Sequence, residues 1–304
     1  MINRVMTARE WSLLLLLALI WGGAFVFIHV VVRSLPPLTY VWLRVLFASA
    51  ALWLYFAVRR ESIALPREAW VPIIGMALLN NLVPFALFGW AQTQIASGLA
   101  SILNATSPIW GVIVAHFFTR DEPLTPLRTL GLLLGFGGLL VMLGPDIAGA
   151  DGTLMAELAC VVAALLYAVA GVWARRFRAL GVTPTAVATG QLTAGAVLMT
   201  PVALLVDRPW LLPAMPIEGW GALIALAVLC TAIGYILYFQ LIHSAGATNA
   251  LLVTLLVPPA AILLGGLLLG EVLAGRDLAG LLLIGLGLAA IDGRLMPRRV
   301  TALP

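Results

Sequence analysis

The chain is a succession of apolar runs, each about as long as a bilayer is thick, joined by short links. The runs at 11–32, 38–58, 71–93, 97–118, 126–144, 154–174, 185–206, 218–242, 247–270 and 276–294 carry almost no charge. A helix needs about 20 mostly apolar residues to cross the hydrocarbon core. Backbone in lipid must satisfy its own hydrogen bonds, which leaves helices or a closed barrel. A barrel is excluded, because its strands would be about ten residues long with alternating polarity. Composition agrees: 10% of the 304 residues are charged and 62% hydrophobic, against about a quarter charged in soluble domains, too little charge to cover a soluble surface. The expected fold class is an all-α integral membrane protein with ten transmembrane helices. The fifth and tenth runs are the weakest, with short, glycine-rich apolar stretches. The first run follows Arg4 and Arg9 but continues to Val32 without a small-residue cleavage site, so it reads as a span and not as a signal peptide.

The net charge of +4 comes from 17 arginines and no lysine, set against 13 carboxylates. It is too small and too scattered for nucleic-acid binding. Arginine placement orients the chain, because cytoplasmic loops carry the positive excess. With the N-terminus inside, arginines 4, 9, 59, 60, 67, 120, 128, 175, 176, 178, 294, 298 and 299 are cytoplasmic, whereas only Arg33, Arg208 and Arg276 lie outside and Arg44 lies within a span. Ten spans also return the C-terminus to the inside. Cys160 and Cys230 fall inside apolar runs with neither metal-ligand nor disulfide spacing.

The sequence repeats on itself at separations of about 147 to 150 residues. Glu122-Pro-Leu followed by Gly131 and Gly138 matches Glu271-Val-Leu followed by Gly280 and Gly287. In the same order Pro37 and Arg44 match Pro184 and Gln191, Asn81 and Pro84 match Thr231 and Gly234, and Asn104 and Pro108 match Thr254 and Pro258. The expected units are 1–148, a first five-helix repeat, and 149–296, a second, with a tail at 297–304. Five is odd, so the second unit enters the membrane upside down relative to the first. Such inverted repeats are a recurring construction of secondary transporters, in which exchanging the shapes of the halves moves a cavity from one side to the other.

The residues then resemble a known family. Trp21-Gly22-x-x-Phe25, Arg44, Pro108 and the Glu-x-Leu to glycine pattern of both halves look like the EamA-type drug/metabolite transporters, over about 7–294. The resemblance implies a ten-helix carrier of the bacterial-type inner membrane, with both termini cytoplasmic and a substrate cavity between the halves. Within the family the chain looks most like the YddG-type exporters of aromatic and other neutral amino acids. Tyr167-Ala168 stands where the first half has Trp21-Gly22, so the halves need not contribute equally.

Proline inside a helix frees the carbonyl four residues earlier, and lipid offers no water to replace the lost donor. Counting back from Pro84, Pro108 and Pro258 lands on Asn80, Asn104 and Thr254, each polar in an apolar segment. Helices three, four and nine are therefore expected to be irregular near mid-membrane, with these prolines as hinges. Interrupted helices at matching positions point to a transporter site; the same pattern also serves as packing kinks whose Asn and Thr join neighbouring helices. The expected substrate-binding set is Trp21, Phe25, Asn80, Asn81, Phe85, Trp90, Asn104, Tyr167, Tyr235, Tyr238 and Thr254. Trp11, Trp42, Trp53, Trp70, Trp210 and Trp220 lie nearer span ends and are assigned to the interfacial belt.

Arg44 is the one ionisable residue clearly within a span, which makes it a functional candidate. It could hold a substrate carboxylate. It also stands only about six residues, or about 9 Å, from its helix start, near enough for its side chain to snorkel outward, and a structural or gating role is the expectation. No Asp or Glu is placed mid-span, and Glu122 and Glu271 are expected to complement the N-termini of the helices that follow them. Without a buried carboxylate to carry a proton, transport by facilitated diffusion or exchange is expected, with no obligatory proton coupling. An uncharged, aromatic, amide-bearing cavity suits a small zwitterion or neutral amphipath, with an amino acid first and another neutral metabolite or drug as the alternative. Membrane lipid is the remaining partner, and oligomeric state is left open. No catalytic residue, cofactor or metal is expected: three dispersed histidines supply none of the constellations of a membrane-embedded transferase. Gly131, Gly135, Gly137 and Gly138 lack the ending of a phosphate-binding loop and read as close helix packing. A channel is disfavoured, because no charged ring or filter-like repeat is visible.

Overall fold

A computed structural model describes residues 6–118, 126–147, 153–250 and 252–291. Glu122, the 148/149 division between the expected repeats, the 297–304 tail and the arginines at 4, 120, 294, 298 and 299 lie outside the described residues. The described chain forms rods, here α1 (Ala8–Val31), α2 (Pro37–Arg59), α3 (Arg67–Ala91), α4 (Ser97–Phe118), α5 (Pro126–Ile147), α6 (Leu154–Ala179), α7 (Pro184–Val206), α8 (Ile217–Ala245), α9 (Val253–Leu269) and α10 (Gly275–Ile291). Among the described residues there is no strand. Seven rods, α1 to α4 and α6 to α8, are individually long and apolar enough to cross a membrane. The apolar parts of α5 and α9 are shorter, Thr129–Val141 and Leu256–Leu269. Ten crossings were expected, and seven meet the requirement on their own.

Rod ends follow local chemistry. Thr7 and Glu10 form a reciprocal cap at α1, with the Thr7 amide donating to Glu10 Oε2 at 2.7 Å and the Glu10 amide to Thr7 Oγ1 at 3.3 Å. Pro37 and Pro184 open α2 and α7 at positions where a missing N–H costs nothing. Arg60 closes α2 in the left-handed conformation, φ 55°. Outward faces carry Leu54, Leu133, Leu205 and Leu282, each exposed, as a rod requires that has lipid beside it.

The rods pack in a pattern that survives exchange of α1–α5 with α6–α10. α1 lies on α9 and α6 on α4; α2 lies on α8 and α7 on α3; the pairs α2–α7, α4–α9 and α5–α10 map onto themselves. Directions follow from one cluster. Ile63 and Leu65, in the link after α2, join the same core cluster as Phe177, Leu180 and Val182, which end and follow α6. The ends of α2 and α6 therefore share one end of the bundle, where α1 also begins, and α6 runs opposite to α1. Arg59, Arg60, Arg67, Arg175, Arg176 and Arg178 belong to that end, called here the arginine end.

The glycines of the repeated motif interlock crosswise. A Cβ on Gly138 would sit 2.7 Å from the Gly280 carbonyl oxygen, and one on Gly287 would sit 2.6 Å from that of Gly131. α5 and α10 thus meet backbone to backbone. In lipid, where association relies on close contact and not on water exclusion, small residues make this approach possible.

Candidate functional site

Two rods lose their α-helical register at matching places. α3 widens into a π-helix over Leu78–Leu82 and α8 over Ala225–Ile233. In α3 the cause is Pro84: the amide of Val83 reaches back to the Leu78 carbonyl, and the widened turn accommodates the proline. α8 has no proline here. Its freed carbonyls are instead met by side chains, with Thr231 Oγ1 donating to Leu226 O at 2.8 Å and Trp21 Nε1 of α1 to Cys230 O at 3.1 Å. The Trp21 ring lies against Gly234, where a Cβ would come within 2.6 Å of its Nε1. π-turns of this kind concentrate at functional sites. The expectation of irregular third and fourth helices agrees with the structure, since α4 breaks at Ala105–Thr106. There the carbonyl freed by Pro108 is met by Ser107 Oγ, 2.7 Å from Asn104 O, and not by the Asn104 side chain. Pro258 is different: it lies inside continuous helix in α9, and among the described residues a turn is assigned at Leu252, before the rod begins.

Between the widened turns, α2, α3, α7 and α8 bring polar groups together. Arg44 of α2 donates from Nη1 to Tyr40 OH at 2.8 Å and from Nε to Thr231 Oγ1 at 3.1 Å. Its guanidinium carbon stands 3.5 Å from the centroid of the Phe85 ring, a cation–π stack. Asn81 Nδ2 donates to Tyr235 OH at 3.1 Å and Asn80 Nδ2 to the same oxygen at 3.2 Å, with Gln191 Oε1 of α7 at 3.5 Å from Asn80. In the sequence repeat Arg44 matches Gln191, Asn81 matches Thr231 and Phe85 matches Tyr235, but their contacts differ: Arg44 meets Thr231 and Phe85, whereas Gln191 meets Asn80. Arg44 is 6% exposed and turns inward to Thr231, Tyr40 and Phe85.

An aromatic layer adjoins this group. Trp21 and Tyr238 have ring centroids 5.1 Å apart, Phe25 meets Phe88 edge-on at 5.6 Å, and Phe88 stacks with Tyr167 at 6.2 Å. Trp21 and Tyr167 pack against both of the larger core clusters, which places the layer at the junction of the bundle's two cores. Of the expected binding residues, the structure gathers Trp21, Phe25, Asn80, Asn81, Phe85, Tyr167, Tyr235 and Tyr238. Trp90 is placed elsewhere: it is 39% exposed and behaves as a rim residue like Trp11, Trp53, Trp70, Trp210 and Trp220, which are exposed as well. Asn104 is held locally by Ser107, and Thr254 sits on α9, beside α1 and α4. Gln191, Thr231, Tyr40 and Phe88 join the site without having been selected from sequence. The repeat was the available signal, since it aligns Gln191 with Arg44 and Thr231 with Asn81.

The two ends of the bundle differ. At the arginine end a crevice of about 10 Å³, room for about one water, is lined by Leu52, Phe56, Thr185, Ala188, Ile236 and Phe239 and reaches Tyr235. At the opposite end two carboxylates tie the halves together. Asp207, just past α7, accepts from the Thr39 amide at 2.7 Å and from its hydroxyl at 2.8 Å. Glu271, just past α9, accepts from the Ser97 amide at 2.8 Å, the Ser97 hydroxyl at 2.7 Å and the Gly98 amide at 3.2 Å. Each satisfies orphan amides at the start of a first-half rod, α2 or α4. Glu271 thus caps α4 and not the helix that follows it; α10 has Asp277, which accepts from the Ala274 amide at 3.0 Å. Among the described residues no group of three or more His, Cys, Asp or Glu could hold a metal ion, and both cysteines are free and buried.

Apolar rods around a buried polar and aromatic cluster define a polytopic membrane protein. The EamA-like transporter family matches residues 9–144 and again 154–291, and the chain belongs to that family. It is a membrane transporter and not an enzyme. It is 27% identical over 256 residues to the uncharacterized transporter YoaV of Bacillus subtilis, covering 82% of this chain and 85% of the relative. It is 25% identical over 180 residues to the "Probable amino-acid metabolite efflux pump" of Escherichia coli, covering 59% and 58%. A crystal structure 21% identical to it superposes with a TM-score of 0.65 over 96% of this chain and all of that one, a likeness of fold alone.

Proposed function

We propose that the chain is a carrier exporting small neutral or zwitterionic metabolites, amino acids including aromatic ones foremost, across a bacterial-type inner membrane by alternating access. In this reading residues 1–148 and 149–296 are inverted five-helix repeats crossing the membrane ten times, both termini are cytoplasmic, and the arginine end faces the cytoplasm. The observation that carries it is the cluster of Arg44, Asn80, Asn81, Phe85, Gln191, Thr231 and Tyr235, drawn from both halves of the chain. A water-sized crevice reaches Tyr235 from the arginine end, and carboxylate caps join rods of the two halves at the other. The two family matches and the exchangeable packing support the repeats, and the name of the Escherichia coli relative supports the substrate class. No carboxylate joins the cluster among the described residues, which favours exchange or facilitated diffusion over proton coupling.

Reconstitution into liposomes with labelled phenylalanine, leucine, threonine and a nucleoside panel tests this. Unlabelled amino acid on the far side is expected to accelerate uptake saturably, with little response to an imposed pH gradient once membrane potential is clamped. Uptake that never saturates and shows no trans-stimulation would mean a pore, and a steep response to the pH gradient would mean proton coupling.

A further inference from the structure

Arg44 carries a charge that its surroundings leave unneutralised. Its partners are the Tyr40 and Thr231 hydroxyls and the Phe85 ring, all uncharged. Among the described residues no carboxylate lies within 4 Å of it, and its Nη2 has no hydrogen-bond partner. A buried charge is costly unless it is paired, and neither neutral hydroxyls nor one ring face supplies a counter-charge. Packing alone does not require the charge. The equivalent position of the second half is served by a neutral amide, Gln191, which is 3% exposed. The cluster has further unused capacity. Asn81 is fully buried, and its Oδ1 has no partner. Tyr235 OH accepts from both asparagines and, among the described residues, has no acceptor for its own proton. An unpaired cation on α2, a free amide oxygen on α3 and a free hydroxyl donor on α8 thus belong to one group of packed rods, and a water-sized crevice reaches Tyr235 from the arginine end.

We propose that Arg44 is the specificity-determining residue of the carrier: it pairs with a carboxylate of the solute while Asn81 Oδ1 accepts from the solute's ammonium, so the site selects amino-acid zwitterions over analogues lacking the carboxylate. The inference rests on the carrier reading above and assigns the group that reads the substrate's charge. A bound carboxylate completes the neutralisation that the fold leaves open, and the aromatic layer of Trp21, Phe25, Phe88, Tyr167 and Tyr238 is left to receive an apolar side chain.

The test uses wild-type protein, R44Q and R44K in proteoliposomes, with counterflow of labelled L-phenylalanine and L-leucine. In the wild type, phenylalanine amide and phenylethylamine are expected to compete about 10-fold to 100-fold less well than phenylalanine, the range of one charge-assisted hydrogen-bonded contact. R44Q is expected to weaken phenylalanine by a similar factor and to lose the discrimination, while R44K, which keeps the charge without the fork, retains part of both. The wild-type competition needs no variant, so a variant that fails to fold leaves the proposal open to refutation. Equal competition by acid and amide in the wild type, or full carboxylate preference in R44Q, overturns the assignment of Arg44 and leaves the carrier standing. Absence of counterflow with every amino acid in the wild type overturns the amino-acid reading and this inference with it.

Discussion

Leucine in place of Gly138 is expected to remove most of the folded protein, with the monodisperse detergent-solubilised yield falling about 10-fold or more and Gly287→Leu behaving alike. The reason is geometric. At these positions even a first side-chain carbon would meet the backbone of the partner rod, Gly280 O at 2.7 Å and Gly131 O at 2.6 Å, and backbone cannot rotate aside as a side-chain tip can. α5 and α10 would have to separate along the pair, losing contacts that nothing in lipid replaces. Overpacking in a closely fitted interior costs about 1–3 kcal/mol, and moving two backbones apart places this case at or above the upper end. Gly137→Ala and Gly285→Ala are the controls. Neither Cβ would meet anything within 4 Å, and alanine is the better helix former by about 1 kcal/mol, so both are expected to melt at or above the wild-type temperature. A Gly138→Leu protein that melts like the wild type would refute the α5–α10 contact.

Neutralising the two carboxylate caps has the second large effect. In Glu271→Gln the charge that holds the Ser97 and Gly98 amides is lost, and in Asp207→Asn the one that holds Thr39. Hydrogen bonds to a charged group are worth about 1.5–3 kcal/mol, so each replacement is expected to speed local opening by about ten-fold or more. Amide hydrogen exchange reads this directly. Faster exchange is expected at Thr39 in Asp207→Asn and at Ser97 and Gly98 in Glu271→Gln, with the amides of α5 and α10 unchanged. Exchange that rises uniformly over the chain would mean general destabilisation and not release of a tie between the halves.

Much of this architecture was legible in the order of apolar runs, since lipid permits little else for such a chain. The repeated glycines also carried their meaning, although only three dimensions show that Gly138 meets Gly280 while Gly287 meets Gly131. Other features were not legible, for physical reasons. Distance from a helix start says how far Arg44 could reach and not which way it turns; α8 and Phe85 decide that. The π-turn of α8 is held open by Trp21 and Thr231, which lie 210 residues apart in the chain, and it has no proline to announce it. Glu271 caps the rod nearest in space, α4, where adjacency in sequence pointed to α10. Trp90 shares a rod with the site residues Asn81 and Phe85, but five residues beyond Phe85 the helix has turned it outward.

Two-sided thiol labelling tests most directly whether one internal site opens to the two sides in turn. The reporter is a single cysteine at Ile236, which lines the crevice beside Tyr235, in a background with Cys160 and Cys230 replaced by alanine. A membrane-impermeant maleimide is expected to reach it from the arginine end. With Glu271→Gln and Asp207→Asn added, access from the opposite side is expected to appear while access from the arginine end declines. Access from the arginine end that the two replacements leave unchanged, or reaction from neither side in either form, would contradict the account.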